Sequence, residues 1–164
     1  MTAGAAEASC TMEVNMKRLQ FGVVIDAPRE RVWDNIVNDE PYRRWTAAFM
    51  PGSYFEGSWE KGARIRFLAR DEAGEVGGMW SEIAESRRPE FLSIRHRGIV
   101  RNGKDDHTSE EAKKWGAAYE NYTLTDVGGK TKFAVELDVP DDTLVPMFSD
   151  AWPKALALLK EMSE

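Results

Sequence analysis

The residues in this chain that are best suited to chemistry are His96, Glu120 and Tyr122. Apolar and polar residues alternate over residues 91–99, which predicts a β-strand with His96 on its apolar face. If this strand pairs antiparallel with the strand predicted over 115–125, the register that we expect sets His96 opposite Glu120. A carboxylate raises the pKa of a neighbouring imidazole, so the pair could act as acid and base or hold a polar ligand group, with Tyr122 as a hydrogen-bond donor.

The structural alternative for His96 and Glu120 is a satisfied polar pair that closes one face of the sheet. Because side chains alternate along a strand, a slip of a single residue in the pairing would separate the two groups. The sequence contains no nucleophile motif, phosphate-binding glycine loop or Cys/His ligand pattern beside them. His96 and Glu120 are therefore only candidates for catalytic residues.

A wider set of residues is predicted to line an apolar ligand cavity. The chain has six tryptophans, and an aromatic lining suits flat or lipid-like ligands. Core packing is the alternative for each residue of the set, and above all for tryptophans on helices that must pack. The predicted ligand-binding residues are Phe67, Met79, Ile94, His96, Glu120, Tyr122, Phe133, Phe148 and Trp152.

An acidic cluster in the polar stretch 100–114 is similar in composition to a set of metal ligands. A protein metal site needs ligands held by rigid elements and by further hydrogen bonds, and neither is predicted here. We interpret the stretch as an exposed loop, with or without one helical turn that starts at Thr108 or Ser109, and we expect no metal and no cofactor. The cluster consists of Asp105, Asp106, His107, Glu110 and Glu111.

The elements that must position these side chains follow from local patterns. β-branched residues up to Ile25 indicate a strand, Pro28 then starts a short helix, and Pro41 lies in the first turn of a second one. An apolar stripe predicts a long final helix, with Pro153 causing a kink beside Trp152. The predicted strands are 17–26, 53–55, 63–70, 76–84, 91–99, 115–126 and 130–138, and the predicted helices are 28–37, 39–47 and 141–162.

These elements predict one α+β domain over residues 17–164. Its curved antiparallel sheet of six or seven strands wraps around the long C-terminal helix, and two short helices follow the first strand. Residues 1–16 are predicted to be a flexible tail, and Met1, Met12 or Met16 could be the native start.

The composition narrows the classes of partner and compartment. A net charge of −6 argues against nucleic-acid binding, which depends on clustered Lys and Arg. Cys10 is the only cysteine, which excludes an intrachain disulfide and favours a reducing, cytoplasmic location. No apolar run approaches the roughly 20 residues that span a bilayer, so we expect no membrane insertion.

Five segments carry a resemblance to known proteins: Ile25–Asp34, Tyr42–Trp45, Glu120–Leu124, Gly129–Phe133 and Trp152–Leu156. They resemble the START-like or Bet v 1-like superfamily, and within it the Hsp90 ATPase activator homologue family. The resemblance implies a helix-grip fold, in which a sheet and the terminal helix enclose a cavity that commonly holds an apolar or amphipathic molecule. It implies no common catalytic residues, and fold alone does not determine a reaction.

Three functions are compatible with these observations. The first is a domain that binds a small hydrophobic, aromatic or amphipathic ligand in its cavity. The second is a protein-interaction module of the Hsp90-activator type, which would use the outer sheet face or the long helix. The third is a cyclase-like or hydrolytic enzyme that uses His96 and Glu120. Ligand identity and oligomeric state are not predicted.

Overall fold

The computed structural model describes residues 16–164, which form eight strands and four α-helices. The predicted tail therefore lies outside the described residues except for Met16, as do the alternative starts Met1 and Met12. In chain order the elements are β1 Lys17–Ile25, α1 Arg29–Val37, α2 Asp39–Trp45, β2 Tyr54–Gly57, β3 Arg64–Arg70, β4 Val76–Arg87, β5 Phe91–Arg101, β6 Lys104–Asp106, α3 Glu110–Trp115, β7 Tyr119–Val127, β8 Lys130–Val139 and α4 Val145–Ser163.

The strands form one antiparallel sheet in the order β1-β8-β7-β5-β4-β3-β2, and β6 pairs with β5 beside this path. Alternation is clearest in β8, where Thr131, Phe133, Val135 and Leu137 are buried. This one-sided burial gives the sheet an apolar face that needs a cover. Helix α4 provides the cover, with Ala151, Trp152, Ala155, Leu156 and Leu159 buried along one stripe. The predicted α+β helix-grip fold is confirmed.

Helix α4 begins at Val145, four residues later than predicted. The Asp141 side chain accepts a hydrogen bond from the Thr143 backbone N–H, which caps a 3₁₀ turn over Asp142–Leu144 instead of the α-helix. Pro146 consequently lies in the first turn of the helix, where its missing N–H costs no hydrogen bond. Only Pro153 occupies the helix interior.

The polar stretch after β5 is more ordered than a loop. It contains β6, which raises the strand number to eight, and α3, which starts after Ser109 as one alternative had predicted. The Ser109 hydroxyl accepts from the Ala112 N–H, so the helix has a regular N-cap. Trp115 therefore ends α3 instead of beginning the next strand, and β7 starts only at Tyr119.

Candidate functional site

A cavity of about 550 Å³ lies between the sheet and the N-terminal half of α4. Its walls come from α2 and the turn that follows it, from the β3–β4 hairpin, from the end of β5, and from β7 and α4. Known small-molecule sites occupy about 300–1,000 Å³, so this cavity is large enough for an organic ligand.

The polar centre of the cavity consists of Glu120 and Tyr122. The two residues share one face of β7 because they are two positions apart, and both line the cavity. The Tyr122 hydroxyl donates a hydrogen bond of 2.7 Å to Glu120 Oε2. Burial raises the pKa of Glu120 to about 7, which this hydrogen bond only partly opposes. The carboxyl is therefore divided between its neutral and charged forms near neutral pH.

Aromatic side chains form the apolar wall around this centre. Trp152 is 2% exposed, and its ring centroid lies 4.9 Å from that of Phe49, 5.9 Å from Tyr122 and 6.0 Å from Trp45. Within residues 16–164, the buried indole N–H groups of Trp45 and Trp152 have no hydrogen-bond acceptor. Leaving a buried donor unpaired costs about 1–3 kcal/mol, so these rings stabilise the wall by apolar packing alone.

The mouth of the cavity combines exposed methionines with charged groups. Met50 and Met147 are each 45% exposed and also line the cavity. Methionine is flexible and polarisable, so it adapts to ligands of different shape. The exposed charged residues in the lining are Asp71, Glu75 and Arg101. A ligand that enters the cavity would therefore pass the flexible methionine side chains. It would also pass two acidic side chains and one basic side chain.

Six of the nine predicted ligand-binding residues line this cavity, and three lie elsewhere. The buried side chains of Ile94 and Phe133 belong to the apolar core. His96 is also buried, at 7% exposure, but it is not part of the lining. The six that line the cavity are Phe67, Met79, Glu120, Tyr122, Phe148 and Trp152.

The predicted pairing of His96 with Glu120 is wrong. In the β5–β7 register Ile94 lies opposite Glu120. The backbone N–H of His96 donates a hydrogen bond to the backbone carbonyl of Ala118. His96 Nδ1 instead shares a hydrogen bond of 2.8 Å with the Ser81 hydroxyl. The expected rise in the His96 pKa is also wrong, because burial lowers the pKa of the ring to about 4 and Asp138 opposes this only in part.

The His96 ring is expected to stay neutral down to about pH 5, well below the ordinary histidine range. Since the unfolded chain takes up this proton below about pH 6.5, the His96 contribution to stability is lost as the pH falls toward 4. A ring-proton NMR titration checks this, with His96→Gln identifying the signal. A midpoint near pH 6.5 for His96 would contradict it.

Several residues that line the cavity wall and mouth were missed by the sequence analysis. Tyr42, Trp45 and Phe49 belong to α2 and the following turn, where the helical pattern was explained by core packing. Met50 and Met147 come from a turn and a helix end, which have no periodicity to mark an inward face. A possible signal was the local density of aromatic residues from Tyr42 to Phe55, which is typical of a pocket rim.

The sheet that grips a long helix and the apolar cavity between them define a START-like helix-grip domain, a class of ligand-binding or interaction domains. The family model described as "Activator of Hsp90 ATPase homolog 1-like protein" matches residues 26–164. The chain belongs to this family, as the sequence resemblance had predicted. No curated protein matches the chain.

Solved structures with the same fold are remote in sequence. CalU16 from Micromonospora echinospora has a TM-score of 0.62 and 17% identity, over 90% of this chain and 74% of that chain. The Aha1 dimer from Colwellia psychrerythraea has a TM-score of 0.65 and 14% identity, over 91% and 97%. ChR145 from Cytophaga hutchinsonii has a TM-score of 0.66 and 20% identity, over 89% and 92%. At these identities the similarity establishes the fold alone.

Two further findings concern the described part of the chain. Among residues 16–164, no helix has both the length and the apolar character needed to cross a membrane. Over the same residues, no group of three or more His, Cys, Asp and Glu side chains is arranged to hold a metal ion.

Proposed function

We propose that this protein binds a small hydrophobic or aromatic molecule in the cavity between its sheet and α4. The observation that carries the proposal is the cavity of about 550 Å³, because its volume suits an organic ligand and its walls include seven aromatic side chains and three methionines. Phe67, Met79 and Phe148 supply apolar surface, while Glu120 and Tyr122 supply the polar groups that would orient the ligand.

A cavity-filling substitution tests this function. Ala69 shares a strand face with Phe67 and lines the cavity, so Ala69→Trp would place an indole in the ligand space. We expect the affinity for the neutral fluorescent probe N-phenylnaphthylamine to fall by about tenfold or more. Ala84→Trp, at an exposed position of β4 outside the lining, is the matched control and should bind the probe normally.

Two results would count against the proposed function. One is wild-type protein that does not enhance the fluorescence of the probe at all. The other is unchanged binding by a folded Ala69→Trp variant, since the probe would then sit outside the cavity. Circular dichroism of both variants establishes that they are folded.

The two other functions have weaker support. Arg64 and Arg66 on β3 both form ion pairs with Asp105, and Arg66 also pairs with Glu56, so the chain's own carboxylates balance arginines that could have attracted an acidic partner. The enzyme hypothesis depended on an acid and base pair of His96 and Glu120, which the strand register separates. A cytoplasmic location remains a prediction from the single cysteine.

A further inference from the structure

The Glu120 carboxyl has a hydrogen-bonding capacity that the protein does not use. Tyr122 donates to Oε2, and within residues 16–164 no other side chain forms a hydrogen bond or ion pair with this carboxyl. A buried carboxyl is normally satisfied by a cation or by several donors. Because Glu120 also lines the cavity, its second oxygen is available to a ligand.

The charges around the cavity favour a positively charged ligand group. Among residues 16–164, the lining contains the carboxyls of Asp71, Glu75 and Glu120, but only one basic side chain, Arg101. Arg101 already forms an ion pair of 3.0 Å with Glu111. A ligand anion would therefore meet an uncompensated carboxyl, whereas a cation would be attracted at the mouth and again inside.

The aromatic wall favours a cation of a particular kind. Tyr42, Phe67 and Trp152 line the same cavity as Glu120, and the faces of such rings attract ammonium groups. The remaining space is apolar, which suits an aromatic or aliphatic body attached to the charged group. A small, strongly hydrated metal ion would gain little from such walls.

We propose that the ligand of this cavity is an organic amine, with its protonated nitrogen at the free oxygen of Glu120 and its apolar body against the aromatic wall. This proposal rests on the proposed function, because it names the chemical class of ligand that the same cavity takes. The carboxylate and the ammonium supply each other with the charge partner that each lacks inside the cavity.

The titration of Glu120 provides a readout that is specific to this proposal. With its pKa at about 7, the carboxyl is mostly protonated at pH 6, and a bound ammonium would displace that proton. Within residues 16–164, the basic side chain in the cavity lining is that of Arg101, which is already paired with Glu111. The titratable or charged residues that line the cavity with Glu120 are Tyr42, Tyr122, Asp71, Glu75 and Arg101, and His96 lies two residues from Ile94, which pairs with Glu120. Leu137 of β8 pairs with Glu120, and the α4 residues in the lining, Met147, Phe148 and Trp152, are uncharged.

The experiment compares tryptamine with tryptophol, which differ only in an amine and a hydroxyl group, by calorimetry at pH 6 in two buffers of different ionisation enthalpy. We expect tryptamine to bind about tenfold tighter than tryptophol and to release about one proton. Glu120→Gln should abolish both the preference and the proton release. Glu136→Gln is the control, because the Glu136 carboxyl lies on the far side of the sheet and accepts a hydrogen bond from Gln20. This variant should retain the preference for tryptamine and the proton release.

Each other outcome has a definite meaning. Equal binding of tryptamine and tryptophol, or tryptamine binding without proton release, would overturn the amine proposal. If N-phenylnaphthylamine still binds in that case, the proposed cavity function stands. Proton uptake with tryptophol at pH 8 would also overturn it, because Glu120 would then serve as a neutral donor. If none of the three compounds binds, the proposed function itself fails.

Discussion

Replacing Trp152 by alanine is expected to lower the free energy of unfolding by about 3–5 kcal/mol. Trp152 is 2% exposed and lies where α4 meets the sheet, with its ring next to those of Phe21, Phe49 and Tyr122. Removing the indole leaves a void among rigid aromatic neighbours, which cannot collapse to fill it. Urea denaturation followed by circular dichroism measures the loss.

Two further variants test whether the loss of stability comes from the packing of the Trp152 ring. Trp152→Phe should cost less than about 1.5 kcal/mol, because it keeps an aromatic ring and removes an indole N–H that has no acceptor in the described part of the chain. Lys154→Ala, at an exposed position of the same helix, should change stability by less than about 0.5 kcal/mol. A loss for Trp152→Ala no larger than that for Lys154→Ala would mean that the ring is not part of the core.

Glu120→Gln is expected to stabilise the protein at pH 8 by up to about 3 kcal/mol and to have little effect near pH 4.5. Burial raises the pKa of the carboxyl from its ordinary 4.5 to about 7, so the folded state favours the neutral form. Wild-type stability from this group is therefore complete below about pH 4.5 and is lost as the pH rises toward 7. Glutamine stays neutral throughout and can still accept from Tyr122.

Urea denaturation of wild type and Glu120→Gln at pH 4.5 and pH 8 measures this difference. His96 is present in both proteins, so its opposite pH dependence cancels in the comparison. Glu136→Gln is the control for the loss of one negative charge and should change stability by less than about 0.5 kcal/mol at either pH. A constant difference between wild type and Glu120→Gln at the two pH values would show that Glu120 is not desolvated.

The two stability predictions also concern the free energy of folding that the cavity costs the protein. Desolvation of Glu120 and unpaired indole N–H groups both oppose folding, and neither contributes to packing. Binding sites commonly hold such groups, since a ligand can supply the missing partner. The cavity therefore contains groups that oppose folding, and it is the best candidate for a functional site in the described structure.

The sequence by itself determined most of the elements and their order, with β6 as the strand that it did not predict. The helix after Pro28, the one-sided strands and the long terminal helix follow from period, proline position and capping residues, which act over a few residues. A one-sided sheet and a single long apolar helix have few ways to cover each other, so the helix-grip fold follows as well. Six of the nine predicted ligand-binding residues line the cavity. Four of them lie on strands, where alternation assigns each side chain to a face, and Phe148 and Trp152 lie on the predicted apolar stripe of α4.

Only the tertiary structure decided which residues meet across strands. Trp115 belongs to the capped helix α3, so β7 begins only at Tyr119. His96 therefore forms a backbone hydrogen bond with Ala118 and a side-chain hydrogen bond with Ser81, and none with Glu120. Irregular pairing between Trp80 and Ser81 shifts the register of β4 on β5 in a way that alternation does not predict. Register and cavity shape depend on contacts between residues far apart in the chain, whereas local patterns constrain only neighbours.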